Sequence, residues 1–251
     1  MYLLDFDRGY DILFGELSDV DENGYVLASS AFDTFGLIPE EGFTIESPEV
    51  RSEEIDIPGA MGSRSLVNYL TGYPVFTNRQ GNLSFITFEH TPNKMAKIYR
   101  KFHGRQLNLI HPNNPDFYYS GFFEVTSYKI DKDYVIVELK YNLEPYLYSR
   151  AINDIVLTDT TEVFFTPEGD CIQPYMPTIV YTTEHSEYPT QLKFTNDELG
   201  IDSTVTLQPG ENHLGTQVII SNFERYNENK FQLIFSNGEP TVTVKYRNCI
   251  L

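Results

Sequence analysis

Residues that could act as metal ligands or nucleophiles are spread through this 251-residue chain without the spacing that catalytic sites require. The five histidines form no H-E-x-x-H pair, and neither they nor the two cysteines occur at metal-ligand spacing. The nucleophile pattern G-x-S-x-G and the phosphate-binding patterns G-x-x-x-x-G-K and G-x-G-x-x-G are also missing. Carboxylates are abundant, but a sequence does not reveal the defined separation of a glycosidase pair. We therefore predict a protein that is not an enzyme and has no cofactor.

One acidic turn matches the first half of an EF-hand calcium loop. Asp19, Asp21 and Asn23 stand at loop positions one, three and five, and Gly24 stands at position six. The twelfth position is Ser30, where a bidentate glutamate is expected, and neither flank has a helical pattern. Asn-Gly between two short apolar runs is a strong hairpin signal. We expect a hairpin here, and a calorimetric calcium titration would decide for the alternative, a calcium site.

Net charge restricts the partners. The chain has 36 acidic and 18 basic residues and a formal charge of −18, a surface that repels phosphate backbones. Sequence-specific nucleic-acid binding is therefore not expected. No apolar run reaches 18 residues, which predicts no membrane span.

The cellular compartment is predicted from the N-terminus and the cysteines. Residues 1–14 contain three aspartates where a secretory signal needs positive charge, so we expect a protein made and kept in a cytoplasm unless lysis releases it. Cys171 and Cys249 are the only cysteines. They are too few for a disulfide framework, and we expect both to be reduced packing residues.

The clearest helical pattern runs from about residue 93 to residue 103. Pro92-Asn93 supplies the start, Gly104 the stop, and apolar residues recur at helical spacing between them. The opposite face is basic, with no acidic residue between Glu89 and Asp116. The face is either merely solvated or a contact with an acidic neighbouring subunit. The basic residues are Lys94, Lys97, Arg100, Lys101 and Arg105.

The rest of the chain reads mainly as β structure. It has 18 Tyr and 18 Phe among many β-branched residues, and short apolar runs are separated by Gly, Pro and Asn turns. A second, short helix is possible over 63–70. In the first half we predict strands at 106–110, 117–123, 128–129 and 135–141, with a break at Glu144-Pro145-Tyr146.

A fresh series of seven short strands indicates a second domain, so we predict domains at 1–150 and 151–251. The expected fold is mainly β: an N-terminal β-sandwich or barrel-like domain with one α-helix, then a β-sandwich. The seven strands are predicted at 163–165, 178–181, 191–194, 204–207, 217–221, 231–235 and 241–246.

Six short segments, in order, resemble the siphophage distal tail protein family of phages and prophages of Gram-positive bacteria. They lie within residues 33–39, 55–62, 73–79, 102–104, 117–121 and 144–148. The chain departs from the family pattern at 65–68 and 111–114, where that family usually has acidic residues. The motif residues are Gly36, Pro39, Pro58, Gly59, Gly62, Asn78, Arg79, His103, Gly104, Tyr118, Tyr119, Gly121, Pro145 and Tyr146.

The resemblance implies a galectin-like, jelly-roll form for the second domain, matched at 177–179, 209–212 and 242–251. It also implies a homo-hexameric ring at the virion tail tip, assembled in the host bacterial cytoplasm. The expected partners are the tail tube protein, a tail-associated lysin or tail fibre hub protein, and a receptor-binding protein. An acidic lumen would let DNA pass without adhering.

Two other functions stay open. A galectin-like sandwich is a lectin scaffold, so the chain could be a carbohydrate-binding adhesion protein. Against this, Trp is absent and the second domain contains only Arg225 and Arg247 as arginines. The other alternative is an adaptor ring elsewhere in a phage tail.

Overall fold

A computed structural model describes residues 11–40, 44–56, 63–65, 67, 74–89, 91–131, 133–168, 176–183, 189–197, 199–220, 228–236 and 238–251. The chain divides into two compact units, Met1–Ala151 and Ile152–Leu251. The sequence had placed this division after residue 150. Both units are predominantly β, which agrees with the predicted fold class.

The first unit is built on a curled antiparallel sheet with the strand order β2-β1-β7-β8-β9-β6-β3. Strands β4 and β5 form a separate antiparallel pair. The strands are β1 Leu13–Glu16, β2 Ser29–Ser30, β3 Ile38–Pro39, β4 Glu54–Asp56, β5 Ser63–Ser65, β6 Arg79–Thr87, β7 Arg105–Ile110, β8 Phe117–Asp131 and β9 Tyr134–Ser149.

Two helices are described in this unit, α1 Ala31–Phe35 and α2 Pro92–Phe102. Helix α2 is the predicted one. The Thr91 hydroxyl accepts a hydrogen bond from the Lys94 amide and caps the helix start, and Pro92 occupies a position where its missing N–H has no cost. His103 ends the helix, and Gly104 follows with φ of 69°, a conformation that favours glycine.

The apolar residues of α2 pack against one face of the sheet. Ile98 and Phe102 are fully buried. The Phe102 ring lies edge-on to Phe14, with 4.8 Å between centroids, and Phe14 in turn lies 5.4 Å from Phe123. These aromatic contacts join the helix to β1 and β8 and form the core on which the sheet curls.

The predicted strand break at Pro145 is wrong, because β9 runs without interruption through it. The register of β8 against β9 shifts between the pairs Tyr119–Leu147 and Gly121–Leu143, so Pro145 stands at the irregularity. A missing N–H is tolerated at such a position because no regular ladder bond is required there. Strand β8 is likewise one strand of 15 residues where two were predicted.

The predicted opening hairpin is present, but its turn differs from the expected one. The amide of Gly24 donates to the carbonyl of Asp21, so the turn comprises residues 21–24 and Asn23-Gly24 is not its central pair. An antiparallel bridge joins Val20 to Val26. Of the short helix predicted over 63–70, residues 63–65 form β5, Val67 is helical, and the others lie outside the described residues.

The second unit contains two four-stranded antiparallel sheets, ordered β10-β17-β12-β15 and β11-β16-β13-β14. Both sheets supply residues to one core, including Ile179 and Val244 from the first and Phe194 and Phe231 from the second, so the unit is a β-sandwich. The eight strands of these sheets are β10 Asn153–Leu157, β11 Val163–Phe165, β12 Thr178–Thr182, β13 Gln191–Asn196, β14 Ile201–Thr206, β15 Gly210–Asn212, β16 Asn229–Ile234 and β17 Thr241–Tyr246. A further strand, β18 Cys249–Ile250, belongs to neither sheet.

Three sequence expectations for this unit need correction. Of the strand predicted at 217–221, Gln217 ends a 3-10 helix, Val218 and Ile219 are not in a strand, Ile220 forms an isolated bridge, and Ser221 lies outside the described residues. Strands β10 and β15 were not predicted. Cys249 is disulfide-bonded, so it is not the reduced packing residue that was expected, and Cys171 lies outside the described residues.

Candidate assembly surfaces

The basic face of α2 is partly neutralised by acidic residues of the same chain. The Lys94 ammonium lies 2.8 Å from the Glu89 carboxylate. The Glu16 carboxylate on β1 lies 2.5 Å from the Lys101 ammonium and 3.5 Å from the Arg105 guanidinium. Three of the five predicted contact residues therefore already have acidic partners.

The two other basic residues of this face, Lys97 and Arg100, are exposed, and no ion pair holds either of them within the described part of the chain. Between them stands Tyr99, which is 49% exposed and stacks on the His103 ring at 4.2 Å. Lys94, through its hydrogen bond and charge, lowers the pKa of Glu89, and Lys97 contributes in the same direction. Of the five predicted basic residues, Lys97 and Arg100 are therefore the two that remain available to bind a partner.

Several motif residues meet in one buried cluster around Arg79. The Arg79 Nε donates to the Pro145 carbonyl at 2.8 Å, and an Nη of the same guanidinium donates to the Glu46 carbonyl at 3.2 Å. The guanidinium also lies 5.5 Å from the centre of the Tyr119 ring. Burial lowers the pKa of Arg79 and raises that of Tyr119. This arrangement ties β6, β8, β9 and the 44–53 segment together.

Tyr141 completes the Arg79 cluster, although the sequence did not single it out. Its hydroxyl accepts a hydrogen bond from the Glu46 amide at 3.0 Å, and its ring lies over Gly81, where a Cβ would collide with it. Burial raises its pKa. The alternation of buried and exposed residues along β9 predicts that Tyr141 points into the core. Its pairing with Gly81, however, can be known only from the strand register.

Several of the other motif residues end an element, pack against a neighbouring ring or allow two strands to approach closely. Gly36 has φ of 60° and ends α1, and Pro39 lies in β3. At Gly121 an added Cβ would lie 2.6 Å from the Leu143 Cα, so β8 and β9 approach closely there. The Tyr118 ring lies 5.7 Å from Tyr148, Tyr146 packs against Phe76, and Asn78 is exposed just before β6. Pro58, Gly59 and Gly62 lie outside the described residues.

The carboxylates of the calcium-like turn are occupied by backbone donors. Asp21 Oδ1 accepts hydrogen bonds from the amides of Asn23 and Tyr25, and Asp19 Oδ2 accepts one from Glu16. These contacts are those of an Asx turn. Nowhere in the described residues do three His, Cys, Asp or Glu side chains group as metal ligands.

The far end of β8 has an unpaired edge. Strand β7 pairs with β8 only as far as Phe123, whereas β8 continues against β9 to Asp131. Beyond Phe123 the other edge of β8 has no partner strand among the described residues. Tyr128 and Ile130, on this segment, are 59% and 62% exposed. An unpaired edge with apolar side chains is a template for another strand.

The sandwich of the second unit presents one prominent aromatic side chain, Phe164 on β11, which is 62% exposed. The Lys230 ammonium lies 5.6 Å from its ring centre and 2.8 Å from the Asp197 carboxylate. Arg225, one of the two arginines considered for sugar binding, lies outside the described residues.

Within the described residues, no helix has the length and apolar character needed to cross a bilayer.

Comparison with known proteins identifies a structural neighbour. No family model matches the sequence, and no curated protein matches it. The fold is similar to the crystal structure of SPP1 Dit, described as a paradigm of the hub adsorption apparatus in phages that infect Gram-positive bacteria. The TM-score is 0.55 at 12% identity, and the match covers 94% of this chain and 98% of SPP1 Dit. The chain thus shares the fold of SPP1 Dit over nearly its whole length.

Proposed function

We propose that this chain is a structural, non-enzymatic component of a phage tail tip, and that six copies form a ring joining the tail tube to the host-adsorption apparatus. The observation that carries the proposal is the fold shared with SPP1 Dit over both units. A chance likeness in one common sandwich would not extend over 94% of the chain.

Two surfaces of the first unit support self-association. The open edge of β8 carries exposed apolar residues, and Lys97 and Arg100 form a small positive patch on a chain with a net charge of −18. Contacts between different surfaces of identical subunits close into a ring when the rotation permits. Opposite charges on the two surfaces orient such contacts.

The proposed partners are those of a tail hub: the tail tube protein, a tail-associated lysin or fibre hub protein, and a receptor-binding protein. We place the protein at the virion tail tip after assembly in the bacterial cytoplasm. Disulfides persist mainly in oxidising surroundings, so we infer that the Cys249 bond forms after the particle leaves the cell. An acidic lumen facing the DNA remains part of the proposal.

Native mass spectrometry of the purified full-length chain tests the proposal. We expect a complex of six subunits, seen as a ring by negative-stain electron microscopy. A chain that stays monomeric at high concentration would contradict the ring. Lectin activity confined to the second unit would favour the alternative of an adhesion protein, whose galectin-like sandwich would then be functional.

A further inference from the structure

A groove of about 430 Å³ lies on the sheet of the first unit, next to the α2 face and the start of the open β8 edge. It extends from β6 across β9 and β8 to the turn between α2 and β7. Its lining includes Gln80, His103, Phe122, Glu124, Lys140 and Asn142. The volume is within the range of small-molecule sites.

The strand register places the Phe122 ring and two carboxamides of the groove, Asn142 and Gln80, in one row that continues beyond the groove to Gln106. Gln106 on β7 pairs with Phe122 on β8, Phe122 pairs with Asn142 on β9, and Asn142 pairs with Gln80 on β6. Directly paired residues share a sheet face, with their Cβ atoms about 5 Å apart. The row lies on the face opposite the core, because the alternate residues Phe123 and Tyr141 are buried.

Two side-chain atoms of the lining are buried without a hydrogen-bond partner in the described part of the chain. They are His103 Nδ1 and Asn142 Oδ1. A buried polar atom without a partner destabilises the fold, so a ligand that supplies hydrogen bonds is favoured at both atoms. Beside them the Phe122 ring is 54% exposed.

From this arrangement we propose that the groove binds a neutral saccharide. The apolar face of a pyranose packs on an aromatic ring, and its hydroxyl groups donate to and accept from planar amides and imidazole. The groove offers this combination: Phe122 for stacking, Asn142 and Gln80 for hydroxyl groups, and His103 in the same lining. The core of a protein–protein interface is apolar and poor in charge, whereas this single ring is surrounded by amides, Glu124 and Lys140. The proposal does not depend on the hexameric ring.

Saturation-transfer-difference NMR with the full-length chain tests the inference, using maltose, lactose and N,N′-diacetylchitobiose as ligands. We expect transfer to at least one disaccharide, lost in Phe122→Ala and about tenfold weaker in affinity for Asn142→Ala. The matched control is Phe164→Ala, which removes a similarly exposed phenyl ring from the second unit and should leave binding unchanged.

Absence of transfer to all three disaccharides would overturn the saccharide site. So would binding that survives Phe122→Ala or that is lost in Phe164→Ala. Native mass spectrometry of Phe122→Ala separates this inference from the proposed function. If that variant no longer assembles and the parent binds no sugar, the groove is a subunit contact instead. Because Phe122 is exposed, the variant is expected to fold, which circular dichroism verifies.

Discussion

At the scale of single residues, Arg79 shows how one side chain can organise a β unit. Its guanidinium remains charged despite the burial that lowers its pKa, because the usual pKa of arginine is far above neutrality. Planar geometry lets it donate to the carbonyls of Pro145 and Glu46 at once. Neither carbonyl belongs to a regular ladder pair with it, so these bonds hold segments that the sheet alone would leave apart.

Arg79→Met should lower the free energy of unfolding by about 2–4 kcal/mol, because two buried carbonyls lose charged donors. Arg79→Lys should recover only part of this, since an ammonium lacks the planar fork. Urea denaturation followed by circular dichroism measures the change. Arg51→Met, at an exposed arginine, is the control and should change stability by less than about 0.5 kcal/mol. Equal losses in both methionine variants would contradict the role given to Arg79.

His111 should make the fold sensitive to acid. Its Nδ1 accepts a hydrogen bond from the Asn113 amide at 3.1 Å, which requires the neutral ring, and burial lowers its pKa. The folded state therefore binds this proton less readily than the unfolded state does. Its contribution is present above the unfolded pKa of about 6.5 and is lost as pH falls through the lower folded pKa.

An NMR titration of the His111 ring should give a pKa below the ordinary histidine value. In His111→Gln, the loss of stability between pH 7 and pH 5 should be smaller than in the parent chain. A His111 pKa at or above 6.5 would show that the ring is not held in its neutral form.

At the scale of elements, the long β8–β9 hairpin has a base that belongs to the sheet and a tip whose β8 edge is unpaired among the described residues. Its base, near Tyr119 and Leu147, lies inside the sheet, whereas its tip extends past the end of β7 and leaves one edge of β8 open. Natural sheets usually protect such edges with charge or proline. Here Tyr128 and Ile130 are exposed on it, which suits an edge that another strand covers on assembly.

Ile130→Asp should prevent ring assembly, because a carboxylate would be desolvated at the paired edge. Native mass spectrometry should show a shift from six subunits to monomers, with an unchanged circular dichroism spectrum. The matched control is Val156→Asp on β10, an edge strand of the second unit whose valine is 55% exposed. Assembly should persist in the control. If Ile130→Asp still forms the complex, the edge is not a subunit contact.

At the scale of the whole molecule, charge is distributed unevenly, and this makes a prediction about association. With Lys94, Lys101 and Arg105 engaged within the chain, only Lys97 and Arg100 of the α2 face are open to a partner. Opposite charges on neighbouring subunits would steer association more than they would hold the assembled ring.

The double variant Lys97→Glu/Arg100→Glu should assemble at least tenfold more slowly than the parent, measured by light scattering at low ionic strength. Raising the salt to 0.5 M should reduce the difference, because the interaction is screened. Lys193→Glu/Lys245→Glu, with the same charge change in the second unit, should assemble at the parent rate. A salt-independent defect would mean that the face acts through packing and not through charge.

Periodicity and turn residues were enough to predict α2, most strands of the sandwich and the mainly β class, because these signals are local. The resemblance to distal tail proteins came from short segments in order, and the shared fold with SPP1 Dit confirms it at the level of structure. Local signals failed where tertiary context overrode them. Pro145 reads as a strand break but sits at a register shift, and Gln217 belongs to a 3-10 helix where a strand was predicted.

The candidate surfaces depended on the tertiary structure. Sequence alone identified five basic residues, four on α2 and Arg105 just after it, but only the structure shows that Glu16, 85 positions before Lys101, neutralises part of that face. Likewise, the row from Gln106 to Gln80 combines strands far apart in sequence. Hydrophobic patterning is local and therefore determined the elements, whereas strand register and ion pairing join distant residues, so only the folded chain decided which side chains meet.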